Sequence, residues 1–406
     1  MSNTDRPLAG VKVVEMATFI AVPAVGRILA DMGAEVIKIE RPVAGDDSRG
    51  NVPRLEGKSL NFNWYNRGKK SVELSMKDPD AQEIIKAMIK DADVVVESFK
   101  PGQMKKFGLD YEAVKQINPE VIYCSVSACG QTGANAWRPG FDVIAQGMSG
   151  FMDMQGDPNG DPVKSGVTIG DYVGAFNAYG AIVTALYYKK NTGEGQFIDI
   201  SLLDGLISIM TPMEGAATLD LKPTRAGRHH NTLAPYGIYR SDKGDSVIIA
   251  AFSAGQWSKL CNAIGKPELL EDERFLSIGS RAANINDLEA ILQGWLSSFD
   301  TIEEAIAILD KAGVACCKIR SVNEVAHDPA MWDRGCLTEI ELPPSYKEHR
   351  TYKCRGPWIQ YSKTPVEMKR AADLGENNYE VLEKYGWSKE KIDEKEAEWS
   401  SMFRKQ

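Results

Sequence analysis

A chain of 406 residues, 43% hydrophobic and 26% charged, is long enough for a large core and more than one domain, and this mixture excludes a disordered or fibrous class. Its formal net charge of -8 argues against general binding to nucleic acid or anionic membrane, while leaving room for a basic pocket. The first residues, Met1-Ser-Asn-Thr-Asp-Arg-Pro7, carry no apolar signal-peptide core, and no apolar run reaches membrane-spanning length, so the expected location is the cytoplasm.

Val11–Met16 and Glu35–Glu40 are short β-branched runs, and between them Ala24, Val25, Ile28, Leu29 and Met32 recur at helical spacing before Gly33. Such a β-α-β unit gives parallel strands with the helix packed on the sheet. The alternation continues through Val72–Leu74, a helix with Pro79 near its start and Ile84, Ile85, Met88 and Ile89 on one side, the buried run Asp93–Glu97, two short helices around Gly108 and Asp110, and Val121–Val126. A large doubly wound, Rossmann-like α/β domain follows from this pattern. Folds of this kind bind ligands beyond the carboxyl ends of their strands. A nicotinamide-dependent dehydrogenase with Glu40 on the ribose is excluded by the connection Ala17-Thr-Phe-Ile-Ala-Val-Pro-Ala-Val-Gly26, which lacks G-x-G-x-x-G and puts Pro23 where that turn needs freedom. Basic residues nevertheless recur just past strand ends: Arg41, Lys77, Lys100, Lys105 and Lys106. Each alone is an ordinary surface residue. Together, at one sheet edge, they suit phosphates, with Phe99 and Phe107 as a candidate wall for a purine.

From Gly170 the chain offers an acidic residue at a helix start, a helix rich in small residues (Gly174, Ala175, Ala178, Gly180, Ala181), a Gly turn and a strand ending at Ile200. Asp171 sits where a capping aspartate sits, so structural capping and chemistry both remain open for it. A helix over Leu202–Met210, strands at Tyr236–Arg240 and Ser246–Phe252 around an Asp242-Lys-Gly244 turn, helices over Ala254–Ile264 and Ala282–Leu296, a Thr301/Glu304 capping box and a strand over Val314–Ile319 follow. These elements form a second, smaller α+β domain. The expected division is 1–224, 225–333 and a C-terminal segment, 334–406, with polar helices over Asn378–Tyr385 and Lys389–Phe403. Seven scattered cysteines without a CxxC pair, Cys124, Cys129, Cys261, Cys316, Cys317, Cys336 and Cys354, read as reduced thiols. His229 and His230 are adjacent and cannot both face one way, so no metal site is indicated.

These residues carry a likeness. Pro7-Leu-Ala-Gly-Val-Lys-Val-Val-Glu15, Gly33-Ala-Glu-Val-Ile-Lys-Ile-Glu-Arg-Pro42, Asn66-Arg-Gly-Lys-Lys-Ser-Val-Glu-Leu74, Ala92-Asp-Val-Val-Val-Glu-Ser-Phe-Lys-Pro-Gly102, Arg138-Pro-Gly-Phe-Asp142, Gly170-Asp171, Thr192-Gly-Glu-Gly-Gln196 and Leu374-Gly-Glu-Asn377 together resemble the class III CoA-transferases, the family of formyl-CoA transferase and carnitine CoA-transferase. The resemblance implies that Asp171 is the catalytic aspartate and that Ile20, Arg41, Leu74, Lys77, Phe99, Lys106 and Arg138 occupy CoA-binding positions. Ile20 stands where formyl-CoA transferase has glutamine, and the region Gly227–Gly237 lacks that enzyme's run of four glycines, which speaks against formyl or oxalyl substrates. The resemblance also implies an interlocked homodimer, with acyl-CoA and a carboxylic acid as substrates and no tightly bound cofactor or metal.

Asp171 would form an acyl anhydride and then a CoA thioester, dividing one hard step into easier ones. The helix start is expected to keep its carboxylate ionised, and the same amides are candidate oxyanion donors. Anhydrides hydrolyse readily, so an enclosed site is expected, covered by the loop Thr224–Ala234 with Arg225 and Arg228 guiding an acid. Asp142 is a candidate for orienting the site. Two rival readings are an α-methylacyl-CoA racemase, which needs an acid and a base on opposite faces of the carbon and has histidine where this chain has Phe141, and a non-catalytic CoA-binding protein.

Overall fold

In the computed structural model, which describes residues 6–403, the apolar runs of the first half become parallel strands of one sheet: β1 (Lys12–Met16), β2 (Glu35–Glu40), β3 (Lys70–Glu73), β4 (Val94–Glu97), β5 (Ile122–Ser127) and β6 (Gln196–Ser201). Residues 1–5, part of the stretch read for targeting, lie outside the described residues. Among the described residues no helix is long and apolar enough to cross a membrane. The strand order is β3-β2-β1-β4-β5-β6. Winding therefore runs outward in both directions from β1 and β4, and the crevice where an open α/β sheet takes ligands lies above the carboxyl ends of that central pair.

Helices cover both faces. On one side α1 (Ala21–Asp31), buried along its whole length, packs on α2 (Leu60–Asn66) and on the long α7 (Ile169–Thr192), which also packs against α8 (Leu202–Ser208). On the other side α3 (Pro79–Lys90) buries Ile84, Ile85, Met88 and Ile89 against Val72, Val95 and Tyr123 of the sheet, beside α4 (Gln103–Lys106) and α5 (Tyr111–Ile117). Asp78 starts α3 by accepting the Asp80 amide at 2.9 Å, with Pro79 at the first position. The C-terminal helices α9 (Asn378–Lys384) and α10 (Lys389–Phe403) join this second layer through Val381, Leu382, Ile392 and Trp399. A short helix, α6 (Asp142–Met148), follows β5.

The chain divides into two compact units. The unit just described takes the residues up to Ser149, Gly166–Thr211 and the chain from Pro329 onward. The second unit comprises Gly150–Ser165 and Pro212–Asp328, so it begins before the expected Arg225 and includes a segment between α6 and α7. Its sheet is antiparallel, with Ser246–Ala250 between Tyr236–Arg240 and Ala315–Lys318, over a core of Trp257, Leu260, Phe275, Leu288, Leu292 and Leu309. The helix expected over Ala282–Leu296 is instead two, Ile278–Ala283 and Ile285–Ser297. Asn284 causes the break: its side-chain amide bonds the carbonyls of Ser280 and Arg274 at 2.9 and 3.2 Å. The expected capping box does not form: the Thr301 hydroxyl makes no cap bond, and Glu304 accepts the amide of Asp300, one residue before the cap, at 3.3 Å.

The Leu374–Asn377 motif acquires a structural reason. β3 is an edge strand, and the tail covers it: Asn377 Oδ1 accepts the Ser71 amide at 3.0 Å, Asn378 Oδ1 accepts the Glu73 amide at 2.8 Å, and the Gly375 amide donates to Ser71 Oγ at 3.1 Å. Asn378 is 2% exposed, so truncating it leaves the Glu73 amide buried without its partner. Asn378→Ala is expected to lower unfolding free energy by about 1–3 kcal/mol in urea titration; a loss under about 0.5 kcal/mol would show that edge coverage does not depend on this bond.

Candidate active site

The start of α7 is built differently from a simple aspartate cap. Thr168 is the residue before the helix and makes no side-chain cap bond, while Asp171 is the third residue inside the first turn. The capping oxygen comes from elsewhere in the chain. Asp142, 7% exposed at the start of α6, accepts the Gly170 amide on Oδ1 at 2.7 Å and the Asp171 amide at 3.3 Å, and its other oxygen accepts Gln146 Nε2 at 2.6 Å. A side chain at position 170 would have to displace this contact, because a Cβ there would lie 2.9 Å from Asp142 Oδ1 and 3.2 Å from Leu206. Small residues serve the same closeness further along, with Ala175 and Ala178 fully buried.

This arrangement corrects two expectations. Asp171 does not cap its helix, so the structural use that competed with chemistry falls away. The first-turn amides are also committed: Gly170 and Asp171 to Asp142, and Tyr172 to the Thr168 carbonyl at 3.2 Å. They are not free to receive oxyanion charge.

Electrostatics follow from the same geometry. Burial, and secondly the neighbouring Asp142, push the Asp171 carboxyl up to about 7. The expected stabilisation of its charge by the helix start is therefore outweighed. Among the described residues no side chain or amide donates a hydrogen bond to the Asp171 carboxylate, whereas Asp142 receives three. A half-buried carboxylate with raised proton affinity and unspent lone pairs is suited to act as a nucleophile or base.

Every expected CoA-binding residue up to Arg138 follows a strand at the sheet's carboxyl edge. Ile20 lies between β1 and α1, immediately before the helix. Arg41 follows β2, is exposed, and bonds the Gly45 carbonyl at 3.2 Å and the Asp47 carboxylate. Leu74 follows β3 and lies in the core at 1% exposure, with its amide donating to the Glu40 carbonyl at 2.9 Å. Lys77 is exposed in the next turn. After β4, Phe99 is half-buried with its ring edge-on to Phe107 at 6.4 Å, and Lys106 is exposed at the end of α4. Arg138 follows β5, exposed beside Trp137 and bonded to Asn135 Oδ1 at 3.1 Å. The N-terminus of α7 joins them at this edge, because a crossover helix runs antiparallel to the strands it connects.

Arg225 and Arg228, expected to guide an acid, are both engaged inside the second unit. Arg225 bonds Asp153 through its carbonyl and carboxylate at 3.2 and 3.3 Å, and Arg228 pairs with Glu289. Sequence patterns missed a polar chain next to Asp171: the Tyr172 hydroxyl meets that of Tyr65 at 2.9 Å and accepts Arg355 Nη1 at 2.7 Å. It borders a cavity of about 650 Å³ lined also by Arg27, Trp64, Phe176 and Trp358. Arg355 lies on a hairpin, Leu337–Glu341 with Thr351–Arg355, far along the chain from Tyr172, and only the adjacency of Tyr172 to Asp171 hinted at a role.

Comparison with known proteins identifies the family and the fold. The model of CoA-transferase family III matches residues 8–378. Succinate–glutarate CoA-transferase of Agrobacterium fabrum is 35% identical over 397 residues, covering 94% of this chain and 96% of that protein. Human succinyl-CoA:glutarate CoA-transferase is 33% identical over 383 residues, covering 94% and 86%. The crystal structure of a CAIB/BAIF family protein from Brucella suis superposes with a TM-score of 0.82 at 35% identity, over 94% of this chain and all of that one (100%), so the mixed α/β fold with a central parallel sheet is shared.

An ordinary carboxyl value of 3.8 against a folded value of about 7 for Asp171 means that, between those pH values, the folded chain keeps a proton the unfolded chain has released. Asp171 therefore lowers stability as pH rises through that window. The stability advantage of Asp171→Asn over the parent should grow from pH 4 to pH 7 and level off above it in thermal melts. A gap independent of pH would show that the carboxyl is not shifted upward.

Proposed function

This chain belongs to CoA-transferase family III and moves CoA between an acyl-CoA and a carboxylic acid, and we propose that it does so through covalent intermediates on Asp171. The observation that carries this reading is the half-buried Asp171 carboxylate beside Asp142 at the start of α7, at the carboxyl edge of the sheet. One Asp171 oxygen attacks the thioester carbonyl; the new C–O bond forms as the C–S bond breaks, giving a mixed anhydride and CoA thiolate. The thiolate attacks the Asp171 carbonyl carbon, releasing the donor acid as its carboxylate and leaving an aspartyl-CoA thioester. The acceptor carboxylate attacks that thioester, and the returning thiolate takes the acceptor's acyl group and frees Asp171. Bonds and charge balance at each step, with CoA as substrate and no tightly bound cofactor.

Raised basicity suits this role, since a more basic carboxylate is the better nucleophile, although less of it is ionised at neutral pH. In the same proposal the large unit is Rossmann-like, and Ile20, Arg41, Leu74, Lys77, Phe99, Lys106 and Arg138 bind CoA. The exposed Arg41, Lys77 and Lys106 suit phosphates, and Phe99 suits a base. The same proposal includes an interlocked homodimer, and the exposed side chains of Phe176, Tyr187 and Tyr188 on α7 suit an interface with a second copy. The seven free thiols suit a cytoplasmic setting. Phe141, whose ring carries no exchangeable proton, gives the racemase reading no support.

Succinyl-CoA with glutarate is the first pair to assay, because the relatives above are named for those acids. Asp171→Ala is expected to lose at least about 1,000-fold in transfer while still binding CoA. For the parent, kcat/KM should rise with pH along a limb centred near 7, and Asp142→Asn, which keeps an oxygen for the Gly170 amide but removes the like charge, should move that limb to lower pH. Unchanged turnover in Asp171→Ala would remove the mechanism.

A further inference from the structure

Four charged side chains that the transfer chemistry does not use are sealed beneath the connection from β1 to α1: Glu15, Lys38, Asp46 and Lys69, at 0, 1, 1 and 5% exposure. Lys38 Nζ donates to Glu15 Oε1 at 2.9 Å and to the Ala17 carbonyl at 2.8 Å, and lies 2.9 Å from Asp46 Oδ2. Lys69 Nζ donates to Glu15 Oε1 and Asn66 Oδ1, each at 2.9 Å, and to the Pro23 carbonyl at 2.8 Å. Asp46 Oδ1 accepts the Phe19 amide at 3.1 Å and the Ser48 amide and hydroxyl at 2.8 and 2.7 Å. Two cations face two anions.

Buried ion pairs are weak stabilisers, often replaceable by apolar groups without loss. Their main-chain partners suggest another use. Ala17 and Phe19 belong to the short connection and Pro23 to the first turn of α1, so the segment is held from below at three points. α1 lies so close over the cluster that a Cβ at Gly26 would come within 1.8 Å of Glu15 Oε2. Phe19 is held at φ 69°, a backbone region that L side chains rarely adopt and that persists where the surroundings over-determine it. Its ring meets Phe141 edge-on at 6.1 Å, and Phe141 adjoins Asp142, whose carboxylate holds the Gly170 and Asp171 amides. In dinucleotide-binding sheets this connection is a glycine-rich turn that lets a pyrophosphate approach. Here it is a rim tied down by buried hydrogen bonds.

We propose that the Glu15–Lys38–Asp46–Lys69 cluster is a positioning device for CoA transfer, pinning the β1–α1 connection and the first turn of α1 so that Phe19 and Phe141 form a fixed wall against which the thioester is presented to Asp171. This rests on the reading of Asp171 as the nucleophile. The four charges act through the loop and are positioning residues, and a loop displaced by about 1 Å would misalign the carbonyl more than it would weaken binding, because of the seven proposed CoA-binding positions only Ile20 lies on it.

Three variants test it, assayed beside Asp171→Ala. Asp46→Ala removes the acceptor for the Phe19 amide, and Asp46→Asn restores an acceptor oxygen. Phe19→Gly removes the ring and the strained backbone at a position 38% exposed, leaving the buried charges in place. Asp46→Ala and Phe19→Gly are expected to lower kcat by on the order of 10–100-fold with the acyl-CoA KM within about threefold, and Asp46→Asn to recover most of the loss. Parental kcat in Phe19→Gly, an effect confined to KM, or Asp46→Asn as slow as Asp46→Ala would overturn the assignment. Should Asp46→Ala fail to fold, Phe19→Gly decides alone. Turnover retained by Asp171→Ala would overturn the nucleophile reading, whereas a dead Asp171→Ala beside a fully active Phe19→Gly would overturn only the positioning role.

Discussion

The site depends on a division of labour between two carboxylates at one helix start. Asp142 spends its oxygens on the Gly170 and Asp171 amides and on Gln146. Asp171, which sequence position alone would assign to that duty, is thereby released from it. The released carboxylate is half-buried, receives no hydrogen bond from the described residues, and faces a like charge, and these together lift its proton affinity. Gly170 is the residue that makes this possible, because any side chain there would drive Asp142 off the helix.

The sheet supplies the place. Strand order puts the crevice between β1 and β4, and the connections leaving β1, β2, β3, β4 and β5 carry Ile20, Arg41, Leu74, Phe99 and Arg138 in turn. A parallel sheet gathers such residues at one edge without requiring them to be near in sequence. Its open side at β3 is covered by Asn377 and Asn378 from the far end of the chain. Sheet, edge cover and helix start are thus parts of one unit, built from both ends of the polypeptide.

Much of the fold was legible because its strands are continuous β-branched runs and its helices have clear apolar stripes; Glu35–Glu40 and Tyr236–Arg240 run as expected, and the other expected strands shift by one or two residues. The helix break at Asn284 was not legible, because apolar periodicity passes through it and only the side chain's competition for carbonyls stops the helix. Nor was the buried charge cluster, since Glu15, Lys38, Asp46 and Lys69 come from separate elements and meet only through tertiary contacts that no local pattern encodes. Asp171 stood out through its motif neighbours, and its freedom from capping came from Asp142, whose contact no local pattern encodes.

The central claim is a bond between an Asp171 oxygen and the acyl group or CoA. Peptide mapping by mass spectrometry, after the enzyme is mixed with acyl-CoA in the absence of acceptor acid and quenched in acid, reads that bond directly. The account predicts a CoA or acyl adduct on the peptide carrying Asp171, at that residue on fragmentation. An adduct on a different residue, or the same adduct yield from Asp171→Ala, would contradict it.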